Sequence, residues 1–276
     1  MHSPDPDPFV GLETVSLEEL NTRAALQTRV DRKYLLARCD LATLFDDLET
    51  RVRVLEIDGD RRFAYESTYF DTPTLDSYLD AARSRPNRFK IRTRTYLDSD
   101  QHFLEVKTRS RGGDTIKTRR SATTTDHCSL TPTSRAFVTE TLADELPTRS
   151  QLSLGEGVAA LHPTIRTYYR RTTLLVEPNT TEQGLTATPS RATIDTSLGF
   201  AAPGQMTRFH RDLAVVETKS TGRPSPIDRL LWRARYRPVK VSKYGVGLAL
   251  EHPHLPASKW NRILRLHFSW RPDRSR

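Results

Sequence analysis

Glu105 and Lys107, Glu217 and Lys219, and Asp31 and Lys33 repeat one pattern, a carboxylate two residues ahead of a lysine. At the period of a β-strand both members of such a pair share a face. Taken alone, each pair reads equally well as a cross-strand ion pair. Carboxylates among cations give no advantage to a surface that only attracts nucleic acid. They do serve a phosphoryl-transfer site, because Mg²⁺ or Mn²⁺ takes one or two carboxylates beside the substrate phosphates. Three such pairs on separate strands favour that chemistry, with Glu105 and Glu217 as the candidate metal ligands.

The cations around them follow the same period. In NRFKIRTRTYL, Arg88, Lys90, Arg92, Arg94 and Tyr96 fall on one face, and Phe89, Ile91, Thr93, Thr95 and Leu97 on the other. Four cations follow one another on a face with no carboxylate between them, so their repulsion calls for an anion or water. Further strands add Lys33, Lys107, Lys117, Arg171, Arg191 and Lys219. Facing outward, these residues would make a basic nucleic-acid binder. Facing inward round a barrel, they would line a channel suited to clustered phosphates. Guanidinium forks with ammonium point charges are what a triphosphate or phosphate chain requires.

The elements that must position these groups are legible in outline. Ser16 caps a short helix over SLEEL. Arg29–Ala37 reads as a first strand and Cys39–Glu49 as a helix. Phe63–Phe70 is a strand ended by the DTP turn, and Thr74–Ala82 a short helix. Strands follow at 87–97, 102–109 and 115–120, then a helix over Thr133–Leu146 and a loop through LGEG. Strands resume at 164–177, 191–195 and 213–220, before a helix over Pro226–Tyr236. VKVSKYGVG at 239–247 reads as strand or loop. The segments FLEVKT and AVVETKS echo each other, each preceded by arginine-bearing strands, as two similar β-rich halves would.

The 276 residues allow one large domain or two small ones, with a formal net charge of +9 that points to an anionic partner. Only 8 of the 43 cationic residues are lysine, leaving 43 − 8 = 35 arginines, and six of those lysines lie in strand-like segments. No apolar run approaches the roughly 18 residues of a membrane span. The start lacks signal-peptide character, and Cys39 and Cys128 make neither a disulfide framework nor a metal site. There is no P-loop motif and no histidine cluster, and only Tyr96 and Tyr169 accompany the basic strands as aromatics.

DRKY at 31–34, STYFDT at 67–72, RFKIRTRTY at 88–96, FLEVK at 103–107, YRR at 169–171, RATID at 191–195, VVETK at 215–219 and SKYGVG at 242–247 occur in one order. In these motifs the chain resembles the VTC-type polyphosphate polymerase domain, a branch of the triphosphate tunnel metalloenzymes related to CYTH phosphatases and cyclases. The resemblance spans roughly 25–250. It implies an α+β fold, an antiparallel β-barrel tunnel of about eight strands with flanking helices. It also implies a catalytic set of Arg92, Arg94, Lys107, Arg171 and Arg191, with Arg170 as the alternative register to Arg171. Lys33, Lys90, Lys117, Lys219, Lys243 and Tyr169 would bind substrate, and Glu217 with Glu105 the metal. Asp31 departs from the family's usual Glu, which shortens its reach.

These observations lead to one expectation: a metal-dependent enzyme, using Mn²⁺ or Mg²⁺, that transfers the γ-phosphoryl group of ATP to phosphate or a growing polyphosphate chain. Two other readings stay open. One is a tripolyphosphatase or nucleoside triphosphatase of the CYTH type, the other a non-catalytic binder of polyphosphate or nucleic acid. The expected organisation is a flexible segment over 1–24, one domain over 25–252 and a basic tail over 253–276. The expected partners are ATP and polyphosphate, without nucleic acid, in the cytoplasm, with a separate membrane partner for processive synthesis.

Overall fold

A computed structural model describes residues 8–24, 30–46, 50–110, 112, 115–146, 151–177 and 188–272. In chain order the first elements are β1 (Glu13–Val15), α1 (Leu17–Arg23), β2 (Val30–Ala37), α2 (Asp40–Asp46), β3 (Val52–Leu55), β4 (Phe63–Asp71) and α3 (Asp76–Ala82). Then come β5 (Arg88–Tyr96), β6 (Gln101–Arg109), β7 (Thr115–Ser121), α4 (Pro132–Glu145), α5 (Gln151–Ala159), β8 (His162–Val176) and β9 (Ser190–Ala201). The last are β10 (Arg208–His210), β11 (Leu213–Ser220), α6 (Pro226–Arg233), α7 (Lys243–Glu251) and α8 (Asn261–His267). The α+β class expected from the sequence is the one observed.

The chain divides into two compact units, each drawn from three stretches. The first comprises Met1–Phe63, Arg170–Leu198 and His210–Val239, and the second Ala64–Tyr169, Gly199–Phe209 and Lys240–Arg276. Strand order is β2-β11-β9-β8 in the first and β8-β4-β5-β6-β7 in the second, with β8 contributing to both. The path of hydrogen-bonded strands therefore ends at β2 and at β7. Among the described residues no pairing closes it into the expected barrel.

Alternation decides the faces of the first unit. Tyr34 and Leu36 of β2, Ala192 and Ile194 of β9, and Ala214 and Val216 of β11 pack with Ile227 and Leu231 of α6 in one buried cluster. Lys33, Arg191, Thr193, Glu217 and Lys219 occupy the intervening positions and point the other way. Asp228 ties the apolar side together, accepting from the hydroxyls of Tyr34 (2.7 Å) and Thr218 (2.6 Å) and from the Ser225 amide (2.7 Å). It also closes a capping box on α6. Within the stretch read as flexible, α1 forms with Ser16 as its cap, and Val15 and Leu20 are buried.

The second unit follows the same logic. Phe89, Ile91, Leu104 and Val106 pack with Val138 and Leu142 of α4 and with Val158 of α5. The LGEG stretch, expected as a loop, lies inside α5. Burial of Val158 and Leu161 in that cluster outweighs the low helix propensity of Gly155 and Gly157. Arg135 supports the end of α5 by donating to the carbonyls of Ala159 (3.0 Å) and Leu161 (3.2 Å).

VKVSKYGVG is corrected too: α7 begins inside it, with the Ser242 hydroxyl accepting from the Gly245 amide. Its glycines serve close packing, not a turn. A β-carbon on Gly245 would fall 2.2 Å from the Trp260 ring, and one on Gly247 2.5 Å from the Phe200 ring. Trp260 belongs to the stretch read as a basic tail, yet it is buried, and α8 follows it with Ile263 and Leu264 inside.

Candidate functional site

In the second unit, β6 is the middle of three antiparallel strands and carries Glu105 opposite Arg92 of β5 and Arg119 of β7. Glu105 is 2% exposed. Its Oε2 accepts from Arg92 Nε at 2.7 Å and lies 4.0 Å from Arg94 Nη1, while Lys117 pairs with Oε1. Burial alone would push this carboxyl up, but Arg92, Arg94 and Lys117 hold it well below the usual carboxylate range. Arg92 also donates to the Tyr69 hydroxyl at 2.9 Å. Burial disfavours its charge, and Tyr69 and Glu105 more than reverse that, so it stays protonated.

Aromatic rings frame this cluster. Tyr65 and Tyr169 stack with centroids 5.1 Å apart, and the Arg94 guanidinium lies 5.6 Å and 5.9 Å from the two ring centres. Lys243 Nζ sits 4.2 Å from the Tyr169 centroid, within cation–π range. Lys90 donates to Ser242 Oγ at 2.8 Å. Tyr244, next along the SKY motif, donates its hydroxyl to the buried Asp71. Asp71 also accepts from the amides of Ser77 and Tyr78 in the first turn of α3, both at 2.9 Å. The STYFDT and SKYGVG motifs thus meet at one carboxylate that fixes where Lys243 points.

In the first unit β11 is again a middle strand, and Glu217 stands opposite Lys33 of β2 and Thr193 of β9. Lys33 Nζ is 2.6 Å from Glu217 Oε2, and Lys219 Nζ is 3.9 Å from Oε1. Burial raises the Glu217 carboxyl, and Lys33, Lys219 and Arg171 together bring it well below its ordinary value. Arg171 makes a fork with Asp195, Nε to Oδ1 at 2.6 Å and Nη2 to Oδ2 at 2.9 Å. Arg191 shares the row of Lys219 but donates to the Leu20 carbonyl (3.0 Å) and Asn21 Oδ1 (3.1 Å), toward the end of α1.

Sequence-predicted residues thus gather in two groups. Arg92, Arg94, Lys117 and Glu105 form one, with Lys90, Lys243 and Tyr169 around it. Lys33, Lys219, Arg171 and Glu217 form the other. Lys107 is exposed, in register between Lys90 and Lys117. Sequence reasoning missed Asp195, Tyr69, Tyr65, Asp71 and Asp228. Asp195 was the accessible one, because it lies four residues after Arg191 in RATID, at a spacing that returns it to the cation face.

Glu217 with Asp195 offers a divalent ion two carboxylates, and Glu105 offers it one. Mg²⁺ and similar ions take one or two carboxylates and complete their shell with water and substrate phosphate. Glu217 and Asp195 lie on adjacent strands and one face, which meets that minimum. Glu105 has three cations against it, as Glu217 has, and no second carboxylate on β5, β6 or β7. Among the described residues there is no cluster of three or more His, Cys, Asp or Glu side chains fit for a metal.

The VTC domain family model matches residues 28–252. The chain belongs to the VTC domain family. Matching solved structures include the Hippeastrum protein HpAC1, a candidate adenylyl cyclase with a dominant triphosphatase activity, at 14% identity and a TM-score of 0.44, covering 84% of this chain and 100% of that one. A conserved hypothetical protein from Pyrococcus furiosus shares 9% identity over 75% and 88% of the two chains, with a TM-score of 0.34. A Pyrococcus horikoshii protein shares 10% over 75% and 87%, with a TM-score of 0.35. No curated protein matches the chain. VTC domain membership supports a polyphosphate-related function, and enzymes of this type generally depend on a divalent metal. No helix among the described residues of this VTC domain is long and apolar enough to cross a membrane.

Proposed function

We propose that this chain is a metal-dependent polyphosphate polymerase that moves the γ-phosphoryl group of ATP onto phosphate or the end of a growing polyphosphate chain. One observation carries the reading: each cation face holds its carboxylate on the middle strand of three, with more positive than negative charge around it. In the second unit Arg92, Arg94, Lys90, Lys107 and Lys117 outnumber Glu105. In the first, Lys33, Lys219, Arg171 and Arg191 outnumber Glu217, Asp195 and Asp31. The excess suits a substrate of several linked phosphates.

In this mechanism Arg92 and Arg94 hold equatorial oxygens of the transferred group. Arg92 is held beforehand by Glu105 and Tyr69, so it has little to reorganise as charge develops. In the first unit Arg171 is likewise held beforehand, by Asp195, ready for a phosphate oxygen. Lys33, at 34% side-chain exposure the most open partner of Glu217, turns from the carboxylate to phosphate. Lys90, Lys107 and Lys117 position donor and acceptor. Glu217 and Asp195 would hold Mn²⁺ or Mg²⁺, which would supply charge neutralisation for phosphoryl transfer. No covalent enzyme intermediate is required. Because ATP is the donor, the proposal places the activity in the cytoplasm, with a separate membrane partner where synthesis is processive.

The test is incubation of purified protein with ATP and Mn²⁺ and resolution of the products on a gel. Long chains are expected. Free phosphate alone would make the chain a triphosphatase, and unchanged ATP would make it a binding module.

A further inference from the structure

The second unit carries a cluster of positive charge that the groups above do not use. Arg88 of β5 and Arg109 of β6 stand directly opposite one another. They lie one row beyond the in-register line of Lys90, Lys107 and Lys117. Like charges opposed across a sheet are destabilising unless an anion or water offsets them. Lys259 and Lys240 add to this field from outside the sheet. Lys259 donates to the Ala81 carbonyl at 2.9 Å and is half-buried. Burial, then Arg88, Lys240 and Arg109, push its ammonium down to about 8. Arg88 is lowered as well, by burial and then by Arg109, against an opposing pull from Asp80. Lys259 also lies beyond residue 252, where the family match ends.

We infer that Arg88, Arg109, Lys240 and Lys259 form a second anion subsite, which holds a stretch of inorganic polyphosphate chain away from its reacting end. This rests on the polyphosphate reading of the Arg92–Glu105 site and deepens it. The four residue steps from Arg88 to Arg92 span about 13 Å of strand. A triphosphate gripped at Arg92 need not reach that far, whereas a long chain crosses the lysine row and arrives at Arg88 and Arg109. The chemistry favours a phosphate chain over nucleic acid. Single-strand binders interleave their cations with stacking aromatics. The rows Arg88–Arg109–Thr115 and Lys90–Lys107–Lys117 contain none, and the neighbouring Trp260 is buried.

The test compares wild type with the double variant Arg109→Glu/Lys240→Glu, both exposed positions. Binding of inorganic tripolyphosphate, of long-chain inorganic polyphosphate and of oligothymidylate is measured over a series of salt concentrations. The expected result is at least a tenfold loss for the long chain, a salt slope shallower by about 1–2, and no change for tripolyphosphate. Lys259→Met, which keeps the apolar stem, reproduces the selective loss. Equal losses for long and short phosphates, or no loss for either, would overturn the subsite. So would oligothymidylate binding wild type as tightly as the long chain and losing the same factor. ATP turnover is scored separately. A protein that binds long chains here yet makes none from ATP refutes the polymerase reading and leaves the subsite standing.

Discussion

Arg171 and Asp195 meet as a two-pronged fork across neighbouring strands, with contacts of 2.6 and 2.9 Å and Asp195 only 1% exposed. A buried pair of this kind adds little over a well-packed apolar pair, but removing one partner strands the other charge. Asp195→Ala is therefore expected to cost about 3–5 kcal/mol of stability, read from urea denaturation. Asp195→Asn keeps one acceptor for the guanidinium and costs less. Equal stability of the alanine variant and wild type would show that Arg171 does not depend on this carboxylate.

Arg92 and Glu217 bear on turnover instead. Arg92→Ala removes a positioned charge, and Glu217→Gln removes the carboxylate proposed to hold the metal. Each should lower ATP turnover by about 10²-fold or more, with the circular-dichroism spectrum of the fold retained. Glu217→Gln should also weaken Mn²⁺ binding measured by calorimetry, and Arg92→Ala should not. Wild-type turnover in both variants would end the assignment.

How much of this was legible from sequence follows from which interactions are local. The period-two pattern of RFKIRTRTY and VVETK showed which residues share a face, because alternation is a property of one strand. The same pattern left the partner of each carboxylate open. That Glu105 lies opposite Arg92 is a matter of register, fixed by the hairpin between β5 and β6 and by core packing. LGEG and SKYGVG lie in helices that a local reading does not favour, because glycine is a poor helix former. At Gly245 and Gly247 it is there because the Trp260 and Phe200 rings leave no room for a β-carbon. Such crowding involves residues far apart in the chain, and no local window contains it. Asp71 and Asp228 were hidden for the same reason, since their partners Tyr244 and Tyr34 lie 173 and 194 residues away.

Acid should destabilise the protein through Glu105 and Glu217, two of its cation-bound carboxylates. Glu105 and Glu217 ionise well below their ordinary 4.5 in the folded state. Below pH 4.5 the unfolded chain binds protons that the folded chain resists, so stability rises with pH in that range. Their contribution is complete above about pH 4.5 and is lost as pH falls through the folded values. Urea midpoints at pH 6, 5, 4 and 3 should therefore stay flat at first and then fall steeply. Glu105→Gln should be less stable at pH 6 and show a shallower acid limb. A variant with the same acid limb as wild type would mean that Glu105 contributes nothing to it.

Gly245 offers a test of how α7 is held. A methyl group there meets the Trp260 ring at 2.2 Å, closer than any side chain can tolerate, so Gly245→Ala must move the helix or the indole. Overpacking of this kind costs about 1–3 kcal/mol, visible as a lower melting temperature. Lys243 and Tyr244 sit on the same helical turn, so the shift should also weaken ATP turnover through the Lys243–Tyr169 contact. Trp260→Leu frees the space, and adding it to Gly245→Ala should cost less than the two single changes summed. Strict additivity of the two would show that the glycine is not there to admit the indole.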